Sequence, residues 1–349
     1  MKRVEIGDFI IHLRSFQGGL ELSRHQGRVS PAYTVCQPRE GFDVEYGRWL
    51  LKCSGFIERL ATTTDQLRDG QAIKFGLFRQ VELPVPPITE QRSIASYLDR
   101  ETTEIDALVA AQEELISTLR ERRAAVIDRA IAAHGGPTVT LSRLRPYVTS
   151  GSRGWGDYYA DHGERFARIG NLGRGDLRLR GEIQHVRLPT GVTEGARTKL
   201  RLDDLLLSIT AYLGSVSIID DPSWVGAYTS QHVALCRFPR TAEVLPRYVG
   251  YALLARPGQD QLKMSSLGGT KQGLSLDDVR ALRVPLPPID AQRRTTDYLD
   301  EKTEEIDALI AETERFIVLA KERRATLVTA AVTGQIDHTT RTKHAGASD

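Results

Sequence analysis

The sequence predicts an α+β chain: two sheet-rich modules, the first incomplete, together with two long coiled-coil helices. Three observations predict it. A block of roughly fifty residues is written twice without a gap, 201 positions apart (Pro84 against Pro285). Each copy carries an apolar stripe at about 3.5 residues per repeat. Outside the copies, short β-branched runs alternate with glycine-containing turns. A duplicated unit of this size implies two similar modules, each followed by its own helix.

The copies align string by string. Pro84-Val85-Pro86-Pro87-Ile88 leads to Gln91, Tyr97-Leu98-Asp99, Ile105-Asp106-Ala107-Leu108 and Glu121-Arg122-Arg123. Pro285-Leu286-Pro287-Pro288-Ile289 leads to Gln292, Tyr298-Leu299-Asp300, Ile306-Asp307-Ala308-Leu309 and Glu322-Arg323-Arg324. Neither 90–133 nor 290–333 contains proline or glycine, and Gly334 is a natural stop. Each helix is then roughly 44 residues, or about 65 Å at 1.5 Å per residue. A helix of that length needs a partner for its stripe. Leu98, Ile105, Leu108, Leu115, Leu119 and Val126 are the expected pairing positions in the first copy. Leu299, Ile306, Leu309, Phe316, Ala320 and Leu327 are their counterparts. Polar residues at equivalent places interrupt the seam: Glu101 and Lys302, Gln112 and Thr313, Arg122 and Arg323. The tether between the helices favours pairing within the chain, in either orientation.

Between the helices, runs at 139–141, 165–169, 204–209, 216–219 and 233–237 read as strands. Helices are expected at 246–254 and 259–264. Residues 1–83 repeat part of this module: Asp8-Phe9-Ile10-Ile11 matches Asp204-Leu205-Leu206-Leu207, Phe16 and Gly18 match Tyr212 and Gly214, and Ala32-Tyr33-Thr34 matches Ala227-Tyr228-Thr229. The first module has no counterpart of residues 139–199, which should leave sheet edges unpaired. The expected domains are 1–83, 84–136, 137–284 and 285–336, with a disordered tail at 337–349.

Composition narrows the function. At 349 residues the chain holds two or three domains, and a net charge of +2 excludes a strongly basic tail-type binder. Cys36, Cys53 and Cys236 are scattered, so no structural zinc is expected and reduced thiols are the default. The N-terminus has no apolar signal region, and no apolar run approaches ~18 residues, so a cytoplasmic chain without membrane contact is expected. No P-loop, HExxH, GxSxG or strand-GxGxxG-helix pattern is present, and no carboxylate cluster suggests a nuclease. Asp221-Pro222-Ser223-Trp224 resembles the Asp-Pro-Pro-Tyr/Trp motif of DNA amino-methyltransferases with one mismatch. Without a glycine-rich cofactor loop it reads as a turn. The chain is expected to be no enzyme.

Together the two Pro-Pro-Ile…Gln…Tyr-Leu-Asp…Ile-Asp…Glu-Arg-Arg helices resemble the specificity subunit of Type I restriction-modification enzymes. So do, in order, Thr149-Ser150-Gly151-Ser152-Arg153-Gly154-Trp155, Arg168-Ile169-Gly170-Asn171-Leu172, Asp203-Asp204-Leu205-Leu206 and Gly268-Gly269-Thr270-Lys271-Gln272. The resemblance spans essentially the whole chain. It implies two target recognition domains, the first incomplete, joined by two long antiparallel coiled-coil helices. It further implies a bipartite double-stranded DNA target, a spacer set by the helices, docking of two methyltransferase subunits and, through the complex, of restriction subunits. S-adenosylmethionine, ATP and magnesium would belong to those partners, with no cofactor on this chain. The chain departs from the family in having no Gly-Ser-Arg or Arg-x-Gly-Asn segment before Asp8. A misplaced gene start or a truncated variant would each explain that. A coiled-coil scaffold for proteins, or an inactive truncated subunit, are the other readings.

The candidate DNA contacts follow from chemistry. Residues 138–199 are locally basic, and arginine matches both phosphate oxygens and the guanine edge. Ser152, Arg153 and Trp155 lie in a glycine-flanked loop, with Trp155 alternatively in the core. Arg168 and Asn171 follow a strand and either reach base edges or cap a turn. Tyr212 is an aromatic candidate beside Gly214, or a core residue. Gln231 suits adenine, while the adjacent His232 reads more readily as a satisfied core residue than as a base reader. Thr270, Lys271 and Gln272 sit in the most polar glycine-rich loop.

Overall fold

The computed structural model describes residues 1–13, 16–62, 75–264 and 273–336, without the side chains of Phe16 and Glu194. In chain order the elements are β1 (Lys2–Val4), β2 (Phe9–His12), β3 (Glu21–Leu22), β4 (Gly27–Val29), β5 (Tyr33–Cys36), α1 (Val44–Leu50), α2 (Ser54–Thr62), α3 (Phe75–Phe78) and α4 (Ile88–Ala133). There follow β6 (Thr138–Thr140), β7 (Tyr147–Ser150), β8 (Tyr159–Ala160), β9 (Glu164–Ala167), β10 (Gln184–Val186), β11 (Leu205–Ser208), β12 (Val216–Ile218), β13 (Tyr228–Thr229) and β14 (Val233–Arg237). The chain then forms α5 (Pro246–Leu254), α6 (Arg256–Met264), α7 (Leu276–Ala281), β15 (Arg283–Pro285) and α8 (Ile289–Val332). It divides into two compact units, Met1–Leu115 with Glu312–Asp349, and Ile116–Ala311. Each unit therefore combines a sheet-bearing module with part of α4 and part of α8.

In the first unit a three-stranded sheet runs β3-β2-β5, and β1 pairs with β4. Phe9 and Ile11 point from β2 into a core with Tyr46, Leu50, Phe56 and Leu60, closed by Ile94 and Leu98 of α4 and Val328 of α8. Lys321 donates to Glu113 at 3.1 Å and Arg324 pairs with Asp106 at 2.8 Å, so the helices run antiparallel here.

In the second unit the main sheet runs β12-β11-β14-β7, a smaller one runs β13-β9-β10-β8, and β15 pairs with β6. The main sheet is covered on both faces, which is why β11 reads as an unbroken apolar run. Leu205, Leu207, Ala234 and Cys236 face a core with α5, α6, Ile127 and Ile131 of α4 and Leu299 of α8. Leu206, Val233 and Leu235 face a second core with Leu200 and Trp224. Arg123 pairs with Asp307, and Thr295 Oγ1 lies 3.2 Å from His134 Nδ1, so the antiparallel sense recurs. The Arg123–Asp307 and Asp106–Arg324 pairs are the same pair of repeat positions used twice, once in each unit.

The duplicated strings acquire structural roles. Gln91 is fully buried; its Oε1 accepts from Asp43 N at 2.8 Å, and its Nε2 donates to Gly41 O and Pro86 O. Gln292 does the same with Leu245 N, Glu243 O and Pro287 O. Each glutamine thus ties the start of its long helix to the chain entering α1 or α5. Leu98 and Leu299 fill the cores behind them. Asp99 accepts from Trp49 Nε1 at 3.0 Å and Asp300 from Tyr251 Oη at 2.5 Å, with Arg48 and Arg247 completing each set. Burial drives the Tyr251 phenol upward in pKa, and the Asp300 hydrogen bond adds to it.

Three expectations need correction. The helix seam alternates 4 and 3 without a break: 98, 102, 105, 109, 112, 116, 119, 123 in α4, and 299, 303, 306, 310, 313, 317, 320, 324 in α8. Leu98, Leu119, Leu299 and Ile306 are buried on it, with Ile105 and Leu327 half-buried. Leu108, Leu115, Leu309 and Phe316 are 41–49 % exposed, and their neighbours Val109, Ile116, Ile310 and Ile317 are buried instead. Both alternations, 3-4 and 4-3 from Leu98, keep the same 3.5-residue period, and they differ by one residue, or 100° around the helix, at every second position; the period alone therefore does not choose between them, and the structure takes the 4-3 phase in both copies. The seam arginines are for the same reason Arg123 and Arg324, not Arg122 and Arg323. In the first module, Phe9 lies opposite Cys36 as Leu205 lies opposite Cys236. The register therefore equates β5 with β14, and the match of Ala32-Tyr33-Thr34 to Ala227-Tyr228-Thr229 fails.

Candidate nucleic-acid interface

Register gathers the candidate loops of the second unit at one end of the main sheet. Ser150 ends β7 opposite Ala234, and Ser208 ends β11 opposite Val233, where β14 begins. The loops 151–155, 209–214 and 230–232 therefore emerge together. Main-chain bonds fasten them: Gly151 N to Ser230 O at 3.2 Å, and Ile209 N to His232 O at 3.0 Å. Ser230 N donates to Ala167 O at 2.9 Å, which brings Arg168 to the same place. Gly151 is required here, because a Cβ would lie 1.8 Å from Thr229 O.

Four candidates lie on this surface. Arg153 is exposed at the tip of its loop. Arg168 is partly exposed, with its guanidinium 3.8 Å from the Glu182 carboxylate. Tyr212 is 55 % exposed, so the core reading does not hold for it. Its φ of 52° is unusual for a bulky residue. Ser208 Oγ and Ser215 N hold that conformation by donating to the Tyr212 carbonyl at 2.7 and 3.1 Å. The Arg174 guanidinium lies over the Tyr212 ring at 3.8 Å, presenting a cation on an aromatic face. Gln231 Nε2 is 3.1 Å from His232 Nε2, and His232 Nδ1 is 3.0 Å from Thr210 Oγ1. A ring protonated on Nδ1 satisfies both contacts: it accepts from Gln231 and donates to Thr210.

Three other candidates are buried beneath it, and for these the contact reading is corrected. Trp155 is 3 % exposed, stacked on Phe166 and edge-on to Tyr228. Asn171 is a cap: its Oδ1 accepts from Arg168 N, and its Nδ2 donates to Arg180 O and Glu182 O. Ser152 is 4 % exposed, bridged to Ser230. The reasons differ: Ser152 lies against Ser230 where β7 leaves the sheet, Trp155 fills the space between Phe166 and Tyr228, and Asn171 folds back on main-chain groups around its own turn. Ser152 Oγ, Trp155 Nε1, Thr229 Oγ1 and Ser230 Oγ are buried there without a hydrogen-bond partner among the described residues. Such groups cost roughly 1–3 kcal/mol each. Thr270, Lys271 and Gln272 lie outside the described residues. The chain re-enters beside the cluster, where Leu274 N donates to Ile209 O at 2.8 Å.

The sequence reasoning missed Arg174 as the partner of Tyr212 and Thr210 as the partner of His232. Only the alternation of basic residues with polar turns hinted at them. Asp221 caps the turn at 222–224 by accepting from Ser223, which also lowers its pKa, as expected of a turn and not of a methyltransferase site. Burial pushes the Cys236 thiol up to about 12 and raises Cys36 and Cys53, so none is an activated nucleophile. Among the described residues no His/Cys/Asp/Glu group is arranged to hold a metal, and no helix is long and apolar enough to cross a membrane.

Residues 193–315 match the family model described as Type I restriction modification DNA specificity domain. The chain is 25 % identical over 245 residues, 63 % of its length, to the Type I restriction enzyme EcoKI specificity subunit of Escherichia coli (strain K12). It spans about half the length (50 %) of that relative. Its fold is similar to a chain solved for the structural basis underlying complex assembly and conformational transition of the type I R-M system. The TM-score is 0.70 at 17 % identity, covering 96 % of this chain and 84 % of the other. At that identity the likeness is one of fold.

Proposed function

We propose that the chain, whose residues 193–315 match the model of the Type I restriction modification DNA specificity domain, is the non-catalytic, sequence-reading subunit of a Type I restriction-modification enzyme. The observation that supports this most is the loop cluster at one end of the main sheet. It gathers the exposed Arg153 and Tyr212 with Arg174, and the partly exposed Arg168 and Gln231, on loops at one end of the main sheet. Arginines there neutralise phosphates and read guanine edges; the amide of Gln231 suits adenine. Thr270, Lys271 and Gln272 complete the set on sequence grounds. On this reading the target is bipartite, and the helices dock two methyltransferase subunits and, through the complex, restriction subunits. The outward apolar residues Leu108, Leu115, Leu309 and Phe316 are the natural contacts for such docking. S-adenosylmethionine, ATP and magnesium act on those partners.

The test is a complex of this chain with its methyltransferase subunit, titrated with cognate duplex at several salt concentrations. Binding should weaken steeply as salt rises. Arg153→Ala should weaken it about tenfold, the loss of one charge-assisted contact. Binding indifferent to both salt and Arg153 would reject the reading in favour of a protein scaffold.

A further inference from the structure

Gln231 and His232 occupy the middle of a tight turn whose ends are fixed. Val233 N donates to Ser230 O at 3.1 Å, Ser230 N to Ala167 O at 2.9 Å and Gly151 N to Ser230 O at 3.2 Å. Thr210 stands on the neighbouring loop, which is equally constrained. Ile209 N donates to His232 O at 3.0 Å, and Leu274 N to Ile209 O at 2.8 Å. On the same loop the Tyr212 carbonyl accepts from Ser208 Oγ, Ser215 N and Ser215 Oγ at 2.7, 3.1 and 3.0 Å. The Thr210 hydroxyl is therefore a fixed point, and the His232 imidazole spans from it to the Gln231 amide.

These contacts set the orientation of the amide. Its nitrogen, not its oxygen, lies 3.1 Å from His232 Nε2. Nε2 accepts, so the ring proton sits on Nδ1 and is donated to Thr210 Oγ1 at 3.0 Å. One amide N–H is used in this way. The second N–H and Oε1 have no partner among the described residues, and Gln231 is only half-buried. The amide is thus held with one donor and one acceptor left over for a ligand.

The fold does not require this arrangement. The register that equates β5 with β14 puts Pro31 and Ala32 where the second unit has Gln231 and His232. The first unit enters the equivalent strand with neither an amide nor an imidazole. A requirement of the fold would apply to both units; a device for recognition belongs only where a base is read.

Granted the DNA-reading function proposed above, on which this rests, we propose that Thr210 and His232 are positioning residues that fix Gln231 to read one adenine in the major groove. Adenine offers its N6 amine as a donor and N7 as an acceptor, which complement the unpaired Oε1 and N–H of the amide. Guanine offers two acceptors, O6 and N7, and would set O6 against Oε1. The amide is oriented before DNA arrives, so the base does not choose its orientation, and adenine is selected over guanine. Without the imidazole the amide turns over and presents its nitrogen to guanine O6 as readily.

The test uses the complex of this chain with its methyltransferase subunit and a pool of randomised duplexes, the retained duplexes being sequenced. One position should be adenine, and Gln231→Ala should make that position degenerate. His232→Ala and Thr210→Val should each cut the adenine-over-guanine preference there by about tenfold or more, with the loss confined to that position. Thr210→Ser keeps the hydroxyl and should restore the preference. A duplex whose adenine has N7 replaced by carbon at that position should bind the unaltered chain about tenfold more weakly, and Gln231→Ala no more weakly than it binds adenine. Guanine at the position that depends on Gln231, no such position, a preference unmoved in both His232→Ala and Thr210→Val, or a loss spread over all positions would overturn the proposal. In each of those cases sequence-selective, salt-sensitive binding remains, so the DNA-reading function stands. A pool from which no sequence emerges would overturn both.

Discussion

Gln91 and Gln292 show how a repeated polar residue can be structural. Each is fully buried and uses its amide oxygen once and its amide nitrogen twice, all on main-chain groups. Removing one leaves a buried N–H and two carbonyls unpaired, at roughly 1–3 kcal/mol per group before any water enters. Gln292→Ala should therefore destabilise the chain by about 3 kcal/mol, read from urea unfolding followed by far-UV circular dichroism. A loss under about 1 kcal/mol would mean that α5 is held by its apolar face alone. From sequence the two glutamines were visible as repeats, but their partners Asp43 and Leu245 lie nearly fifty residues upstream in segments with no pattern of their own. The burial of Ser152, Trp155 and Asn171 was hidden in the same way. Composition told that these segments were polar and basic; Ser152 and Trp155 turn inward against Ser230 and Tyr228 far downstream, and Asn171 turns inward onto the main chain of Arg180 and Glu182.

At the scale of elements, α4 and α8 were legible in existence, extent and period, because proline stops and a 3.5-residue repeat are local properties. Their seam was legible only in part. Leu98, Ile105 and Leu119 were placed correctly, but Leu108 and Leu115 were preferred to Val109 and Ile116. The distinction can be measured. Ile116→Ala should cost about 2–4 kcal/mol as a buried large-to-small change. Leu115→Ala, one residue away and 43 % exposed, should cost no more than about 0.5 kcal/mol in the isolated chain. Equal losses in chemical denaturation would return Leu115 to the seam. If Leu115 instead belongs to a docking face, its variant should fail in methyltransferase-subunit pull-down while unfolding normally. Strands and helices of the second module followed their apolar runs closely, as β11, β12, β14 and α5 show.

At the scale of the molecule, each long helix contributes residues to both compact units, and the proposed function carries the expectation that helix length sets the target spacer. Inserting seven residues at equivalent points of α4 and α8 keeps the seam in phase and adds about 10 Å. Methylome sequencing of a host carrying that variant should report a target spacer longer by about three base pairs, at 3.4 Å each. An unchanged spacer would end the ruler idea.

By itself the sequence determined the duplication, the two rods with their period, and the sheet-rich character of what lies between, since each follows from spacing along the chain. Tertiary structure decided the antiparallel sense of the rods within each unit, the seam residues, the β5–β14 equivalence and which polar side chains face outward. Those outcomes depend on contacts between residues tens to hundreds of positions apart, and periodicity carries no information about them.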